Sequence, residues 1–314
     1  MVGSKFLNPA NDLVFKRIFG SEKNKDILIH FLNDLLERSC PIEEVTFLKT
    51  TQDPEIAPFR SSIVDVMCQD QAHNRFIIEM QLSHERGFDK RSLYYAAKTY
   101  CSQLTQDLTK EEQVTESRKK KDKFKGLNDV YFLAITGFSP FPKKKTWFSR
   151  IGLTDLDTNE HDIKAIQLFF MQLPFFTKTK EEMRTMSLRE KWAYFFKYAE
   201  ETTEKDLEIL VGRDEIIKRA YDELDRFGWS AQELNAYESV EMKKMADEGV
   251  RQAAIEKGRK EGRKEGRKEG EEKGLKKGKL EIARSMLKEQ FSIEQISRLT
   301  GLSKKELAKF QQSK

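Results

Sequence analysis

A chain of 314 residues that is 38 % hydrophobic and 35 % charged has room for about two domains, with a packed core and a large polar fraction outside it. No apolar run approaches the roughly 18 residues of a membrane helix, and MVGSKFLNPAND offers no apolar signal segment, so the expectation is a cytoplasmic protein without a membrane span. The three cysteines (Cys40, Cys68, Cys101) are scattered and the four histidines (His30, His73, His84, His161) have no ligand spacing, which argues against a disulfide scaffold, a His/Cys metal site and a Ser/His or Cys/His hydrolase. The net charge of +5 is modest, and its distribution along the chain carries more information than its sum.

The opening FLNPANDLVFKRIFG reads as a loop entering a helix, with Asn11 or Asp12 as the cap and Gly20 at the end. KNKDILIHFLNDLLER follows with Ile27, Leu28, Phe31, Leu32, Leu35 and Leu36 at helical spacing, a core-facing stripe. After Pro41, EEVTFLKTTQ gives a first strand.

Residues 60–83 then read as two strands, RSSIVDVMCQD and RFIIEMQLS, joined by the polar turn QAHN. Alternation puts Val64, Val66 and Cys68 on one face and Ile63, Asp65 and Met67 on the other; in the second strand Glu79 and Gln81 share a face with Ile77. A tight, odd-numbered hairpin centred on Ala72 sets Asp65 directly across from Glu79, with Cβ atoms about 4.5–5.5 Å apart, whereas a four-residue loop changes the parity and puts the two acids on opposite faces. Asp65 interrupts Ile63-Val64-Val66-Met67, and Glu79 follows Phe76-Ile77-Ile78, so both acids fall at the apolar centre of adjacent strands. Two carboxylates there repel each other, and a hard divalent cation bridging them removes the conflict. The bland alternative is an amphipathic hairpin whose wet face carries Asp65, Glu79 and Gln81.

RSLYYAAKTYCSQL gives a helix with Leu93, Ala96, Ala97 and Tyr100 on one side and Arg91, Tyr95 and Lys98 toward another. Residues 107–126 form a polar loop, basic at Arg118, Lys119, Lys120 and Lys121. DVYFLAITGF reads as a buried central strand, AIQLFFMQLPFF as a further strand ended by Pro174, and LREKWAYFFKYAE and DEIIKRAYDELDRFG as helices before a long one from about Ala231. Within that last element Gly258, Gly262, Gly266, Gly270, Gly274 and Gly278 recur every fourth residue among Arg, Lys and Glu. At about 1 kcal/mol per glycine the expectation is a marginal helix or flexible linker; the alternative is a glycine stripe for close helix approach in a homodimer. In the final stretch Ser292 caps a helix carrying Ile293, Ile296 and Leu299, Gly301 turns the chain, and Ser303 starts a last helix with Lys304, Lys305 and Lys309.

Asp65 followed by Glu79-Met80-Gln81 resembles the Asp…Glu-X-Lys signature of the PD-(D/E)XK nuclease superfamily, with Gln81 in the place of lysine. The flanks resemble the recombination-promoting nuclease (Rpn) and transposase-like family: Asp12-Leu13-Val14-Phe15-Lys16-Arg17-Ile18-Phe19 matches its opening, and Met171-Gln172-Leu173-Pro174-Phe175-Phe176 its Glu-Leu-Pro-Lys-Phe element, with Gln172 replacing the acid. The 107–126 insertion departs from the family's shorter connection. Ile296 to Ser303 resembles the turn of a helix-turn-helix, which makes Lys304, Lys305 and Lys309 candidates for DNA contact, against a helical hairpin used for self-association.

The resemblance implies an α/β fold, a restriction-endonuclease-like mixed sheet flanked by helices, followed by the charged helical tail and the helix-turn-helix-like segment. The expected division is a nuclease-like domain over residues 1–235, a charged helical or Gly-repeat linker over 236–280 and a small helical, helix-turn-helix-like module over 281–314. The implied activity is metal-dependent hydrolysis of DNA, most simply double-stranded, in recombination or a transposase-like mobile element. Mg²⁺ or another divalent cation would be held by Asp65 and Glu79, with the Met80 carbonyl as a third donor. Gln81 would orient water through its amide oxygen; Asp12, Lys16, Arg91 and Lys98 are accessory candidates, against the bland readings of Asp12 and Lys16 as a cap and a surface ion pair and of Lys98 as a solvated side chain. On this reading Gln81→Lys restores the commoner motif and should retain or raise the rate. The rivals are a DNA-binding accessory with a degenerate core and an oligomeric interaction module.

Overall fold

The computed structural model describes residues 4–52, 62–110, 124–303 and 306–308. The first helix, α1 (Asp12–Phe19), starts where Asn11 Oδ1 accepts from the Leu13 amide at 3.0 Å, so Asn11 is the cap. It buries Val14, Phe15, Ile18 and Phe19, and α2 (Lys25–Leu36) buries the six apolar residues of its stripe. The Phe19 ring lies 4.8 Å from Phe31 and 5.6 Å from Phe196 of α4 (Leu188–Tyr198), which also buries Trp192 and Phe195. These helices, with α5 (Glu204–Val211) and α6 (Glu215–Leu224), form an aromatic-rich layer over one face of the sheet.

The strands are β1 (Val45–Phe47), β2 (Thr51–Gln52), β3 (Ser62–Ile63), β4 (Val66–Asp70), β5 (Arg75–Gln81), β6 (Val130–Thr136), β7 (Phe148–Gly152) and β8 (Ile166–Gln172). Six of them make one sheet in the order β1-β4-β5-β6-β8-β7; β2 and β3 form a separate two-stranded ribbon. β4 runs antiparallel to both of its neighbours β1 and β5, β5, β6 and β8 run parallel, and β7 closes the far edge antiparallel. α3 (Phe88–Lys110) falls between the parallel strands β5 and β6 in sequence, as a parallel crossover requires, and covers the other face through Phe88 and Ala96. With helices on both faces, every residue of β6 is buried, which is why VYFLAIT is continuously apolar rather than alternating. This is the expected fold class: a mixed sheet between helical layers.

The structure adds β7 and α5 to the elements legible in the sequence. It also runs α7 (Ala231–Lys288) as one continuous helix through all six repeat glycines, where the glycine cost pointed to a marginal helix or linker. Within the repeat, Arg267–Glu271 at 2.8 Å and Lys273–Glu269 at 3.0 Å are exposed i,i+4 pairs, each worth about 0.2–0.5 kcal/mol, and Lys276 reaches Glu306 at 3.5 Å. The helix is instead anchored at both ends. Near its start Tyr237 is buried and its hydroxyl accepts from the Asn8 amide at 3.3 Å, while Glu241 accepts from Asn11 at 2.7 Å. Near its finish Ala283 joins a small core with Ile296, Leu302 and Leu307.

The chain divides into two compact units, Met1–Glu241 and Met242–Lys314. In the second, α8 (Ile293–Thr300) has a reciprocal capping box between Ser292 and Gln295, and Gly301 adopts φ 70°, a left-handed turn that favours glycine. No helix among the described residues is long and apolar enough to cross a membrane.

Candidate active site

The hairpin turn is Gln71-Ala72-His73, an odd-numbered loop with His73 at φ 61°. Asp70 builds it: its Oδ1 accepts from the amides of Ala72 at 3.0 Å and Asn74 at 2.8 Å. Its other oxygen meets the Arg38 guanidinium at 2.8 Å, so the buried charge is paired. The ladder pairs Gln69 with Arg75, Cys68 with Phe76, Met67 with Ile77 and Val66 with Ile78, and one further step sets Asp65 beside Glu79.

Asp65 itself stands on a bend between β3 and β4. The Leu48 amide bonds Met67, whereas the Val64 amide bonds Thr50, so three residues on one side span two on the other. That is a β-bulge, with the extra residue at Asp65. It corrects the simple alternation: Val64 packs with Met67 and Ile77, not with Val66 and Cys68. The bulge frees the Asp65 carboxylate to turn toward β5, where Oδ2 accepts from the Met80 amide at 2.9 Å.

Glu79 is only 5 % exposed. Its carboxyl is within hydrogen-bonding reach of both the backbone and the carboxyl of Asp65, yet its Oε1 is buried with no partner. Burial first, and the neighbouring Asp65 charge second, push Glu79 up to about 8, with Arg91 opposing. Burial likewise raises Asp65, against the Met80 amide and Lys16. Lys16 Nζ stands 3.9 Å from Asp65 Oδ1, and the Asp12 charge acts on the same carboxylate, so α1 brings both of its candidates to the pair.

Gln81 ends β5. Its Oε1 accepts from Arg91 Nη2 at 3.0 Å and its Nε2 donates to the Ser83 carbonyl at 3.0 Å. Arg91 is also paired with Glu85, and its guanidinium lies 4.9 Å from the Phe88 ring centre and 5.7 Å from that of Tyr95. Its charge reaches Asp65 and Glu79. Arg91 is thus the α3 cation that bonds Gln81; Lys98 lies seven residues further along the helix, about 10 Å at 1.5 Å per residue. Glu85 was not legible as part of this group, since nothing in HERGFDK marks it apart from any exposed acid. Lys304, Lys305 and Lys309, and the basic residues 118–121, lie outside the described residues.

Gln172, which stands where the resembled element has an acid, is fully buried and locked: its Nε2 donates to the Thr146 carbonyl at 2.8 Å and its Oε1 accepts from Ser139 at 2.9 Å. It ties the 139–149 connection to the end of β8. No group of three or more His, Cys, Asp or Glu side chains among the described residues is placed to hold a metal ion. The candidate donor set is therefore the Asp65–Glu79 pair, and the orphaned Glu79 Oε1 fits a divalent cation, because such an ion supplies the missing partner and cancels the carboxylate repulsion.

A mixed sheet of this order, helix-covered on both faces, with an acid pair at the end of its central hairpin, is that of a restriction-endonuclease-like nuclease. The family model described as PD-(D/E)XK nuclease family transposase matches residues 9–253, most of the chain, and the chain belongs to that family. The model described as Rpn/YhgA-like nuclease family, C-terminal HTH domain matches residues 276–312. A nuclease domain followed by a helix-turn-helix domain implies DNA binding. No curated protein and no solved structure matches the chain significantly.

Proposed function

We propose that this nuclease is a divalent-metal-dependent DNA endonuclease that hydrolyses phosphodiester bonds with Asp65 and Glu79 as metal ligands, Mg²⁺ being the ion in use. The observation that carries the reading is the buried, unpartnered Glu79 Oε1 beside the Asp65 carboxylate. Unsatisfied buried carboxylate oxygens are costly and are kept where a ligand completes them. The bound cation would supply Lewis-acid activation of water and relief of charge on the phosphate.

The protein's part is to hold these groups. The Met80 amide fixes the Asp65 carboxylate, the β4–β5 ladder fixes Glu79 against it, and Lys16 adds a positive charge at the solvent side. In hydrolysis the water oxygen bonds to phosphorus, the P–O bond to the leaving oxygen breaks, and the proton lost by water is balanced by one gained at that oxygen. The 1–235 segment would carry this chemistry, 236–280 would be the connector, and 281–314 would retain duplex DNA; the proposed setting is recombination or a transposase-like mobile element in the cytoplasm, the transposase part being supported by the family match.

Plasmid cleavage by the full chain with Mg²⁺, against Asp65→Asn and Glu79→Gln, tests the reading. Nicking or linearisation that needs both Mg²⁺ and the two acids is the expected result. Cleavage indifferent to Asp65, or none in any divalent ion, overturns it and leaves DNA binding alone.

A further inference from the structure

Gln81 sits where the commoner signature has a lysine, and both ends of its amide are already engaged. Nε2 donates to the Ser83 carbonyl and Oε1 accepts from Arg91, each at 3.0 Å. The reversed amide would set its NH₂ against the Arg91 donors, so the orientation follows from the network. The oxygen that would orient a water is therefore turned to a guanidinium.

Arg91 is held from several sides at once. Nη1 meets Glu85, Nη2 meets Gln81, and the rings of Phe88 and Tyr95 flank the guanidinium at 4.9 and 5.7 Å. The side chain is still 27 % exposed, and its Nε is buried without a partner. A guanidinium has five N–H donors, and these two contacts leave donors over for a ligand. Its planar fork matches phosphate oxygens, carries its charge at any working pH, and loses little freedom on binding when it is already clamped.

We infer that Gln81 and Arg91 together stand in for the missing lysine: Gln81 is a positioning residue that aims the guanidinium, and Arg91 is the catalytic residue that meets the scissile phosphate. The inference rests on the hydrolytic reading above and deepens it. It assigns the positive charge of the site to α3 rather than to β5. It also separates two roles that a lysine combines, because the charge comes from one residue and its direction from another.

The test is single-turnover cleavage of a duplex by the full chain at saturating Mg²⁺. Arg91→Ala should slow the chemical step by about 10²–10³-fold, the usual cost of one donor aimed at developing charge. Gln81→Met, which keeps the length but neither hydrogen bond, should cost about 10–100-fold, as loss of an orienting partner does. Since Gln81 acts through Arg91, the double variant should be no slower than Arg91→Ala by more than about threefold. Added methylguanidinium should restore Arg91→Ala, and restore it less when Gln81→Met is also present; a merely structural arginine would not respond. Multiplied losses in the double variant, or no rescue of Arg91→Ala, overturn the inference while the hydrolytic reading stands. Absence of Asp65-dependent cleavage in the parent overturns both.

Discussion

The Asp65 carboxylate accepts a hydrogen bond from the backbone amide of Met80 at 2.9 Å, so the first acid of the candidate site is fixed to the strand that carries the second. The bulge at Asp65 makes this reach available, and the contact locks Asp65 in place beside Glu79 rather than leaving it to swing with solvent. An asparagine can still accept from that amide through its Oδ1. Asp65→Asn should therefore keep the melting temperature within a few degrees while metal-dependent cleavage falls by at least ~10²-fold, the scale for losing one group aimed at the reacting centre. Thermal melts and cleavage rates on the same preparation check it; a collapse of both together would mark Asp65 as structural.

Glu79 supplies a pH test with a definite sign. Its ordinary value of about 4.5 rises to about 8 in the folded chain, chiefly through burial. The folded state therefore keeps a proton that the unfolded state gives up, and metal-free stability should fall as pH rises between about 4.5 and 8. The limiting slope is about 1.4 kcal/mol per pH unit. Glu79→Gln removes the titration, so denaturant midpoints of the two proteins should agree near pH 5 and the variant should be the more stable near pH 9. A divalent ion must displace the same proton, so its affinity for the parent should rise over that interval, which calorimetry reads directly.

His30 provides a second pH test, with the same direction of pH dependence but from a group that stabilises when charged, far from the acid pair in sequence. Its Nδ1 lies 2.8 Å from Asp34 and its Nε2 lies 3.4 Å from Asp214, the cap of α6, while Trp192 donates to Asp34 at 2.8 Å. The hydrogen bond to Asp34 is the largest cause raising His30, with burial opposing it. A raised histidine stabilises fully below its unfolded value near 6.5 and loses that contribution as pH climbs through the folded one. His30→Asn should cost more stability at pH 5.5 than at pH 9. An equal cost at both would mean that the imidazole acts by packing alone.

The C-terminal segment separates binding from chemistry. Its small core of Ala283, Ile296, Leu302 and Leu307 lies within the Met242–Lys314 unit, while the acid pair lies within Met1–Glu241. Removing residues 281–314 should leave turnover on short oligonucleotides nearly intact and weaken retention of long duplex, with a smaller salt dependence of binding. Equal loss on both substrates would count against a separable module.

Much of this geometry could be read from the chain. The acids at apolar strand centres are a local feature, and the hairpin register followed from them once the turn was taken as odd-numbered, a choice of parity that the structure makes. Four things escaped. The bulge at Asp65 depends on how the 48–52 stretch pairs, which single-strand alternation does not encode. The edge strand β7 is short and half exposed, so FSRIG carries almost no periodic signal, and α5 was missed although Thr203 and Asp206 form a capping box at its start. The Gln81–Arg91 bond joins the end of a strand to a helix facing it, and only the fold brings the two together.

That bond reverses one expectation drawn from the motif. By sequence, Gln81→Lys restores the commoner signature and should hold or raise the rate. In the structure a lysine at this position would place its ammonium where Arg91 Nη2 now donates, 3.0 Å from the Gln81 oxygen. A cation cannot accept that hydrogen bond, and two like charges in contact repel, so one of them must leave. Arg91 is tied to Glu85 and flanked by Phe88 and Tyr95, which favours displacement of the new lysine toward solvent and away from the acid pair. Gln81→Lys should then cleave about 10–100-fold more slowly than the parent, close to Gln81→Met, because both lose the acceptor that aims the guanidinium. The combination Gln81→Lys with Arg91→Ala removes the conflict and returns a single cation to the end of β5. It should cleave faster than Gln81→Lys alone, a sign reversal that no additive scheme gives. Single-turnover rates of the four proteins decide it; a parent-like Gln81→Lys rate with Arg91 present would show that lysine and arginine share the site and that Gln81 orients nothing.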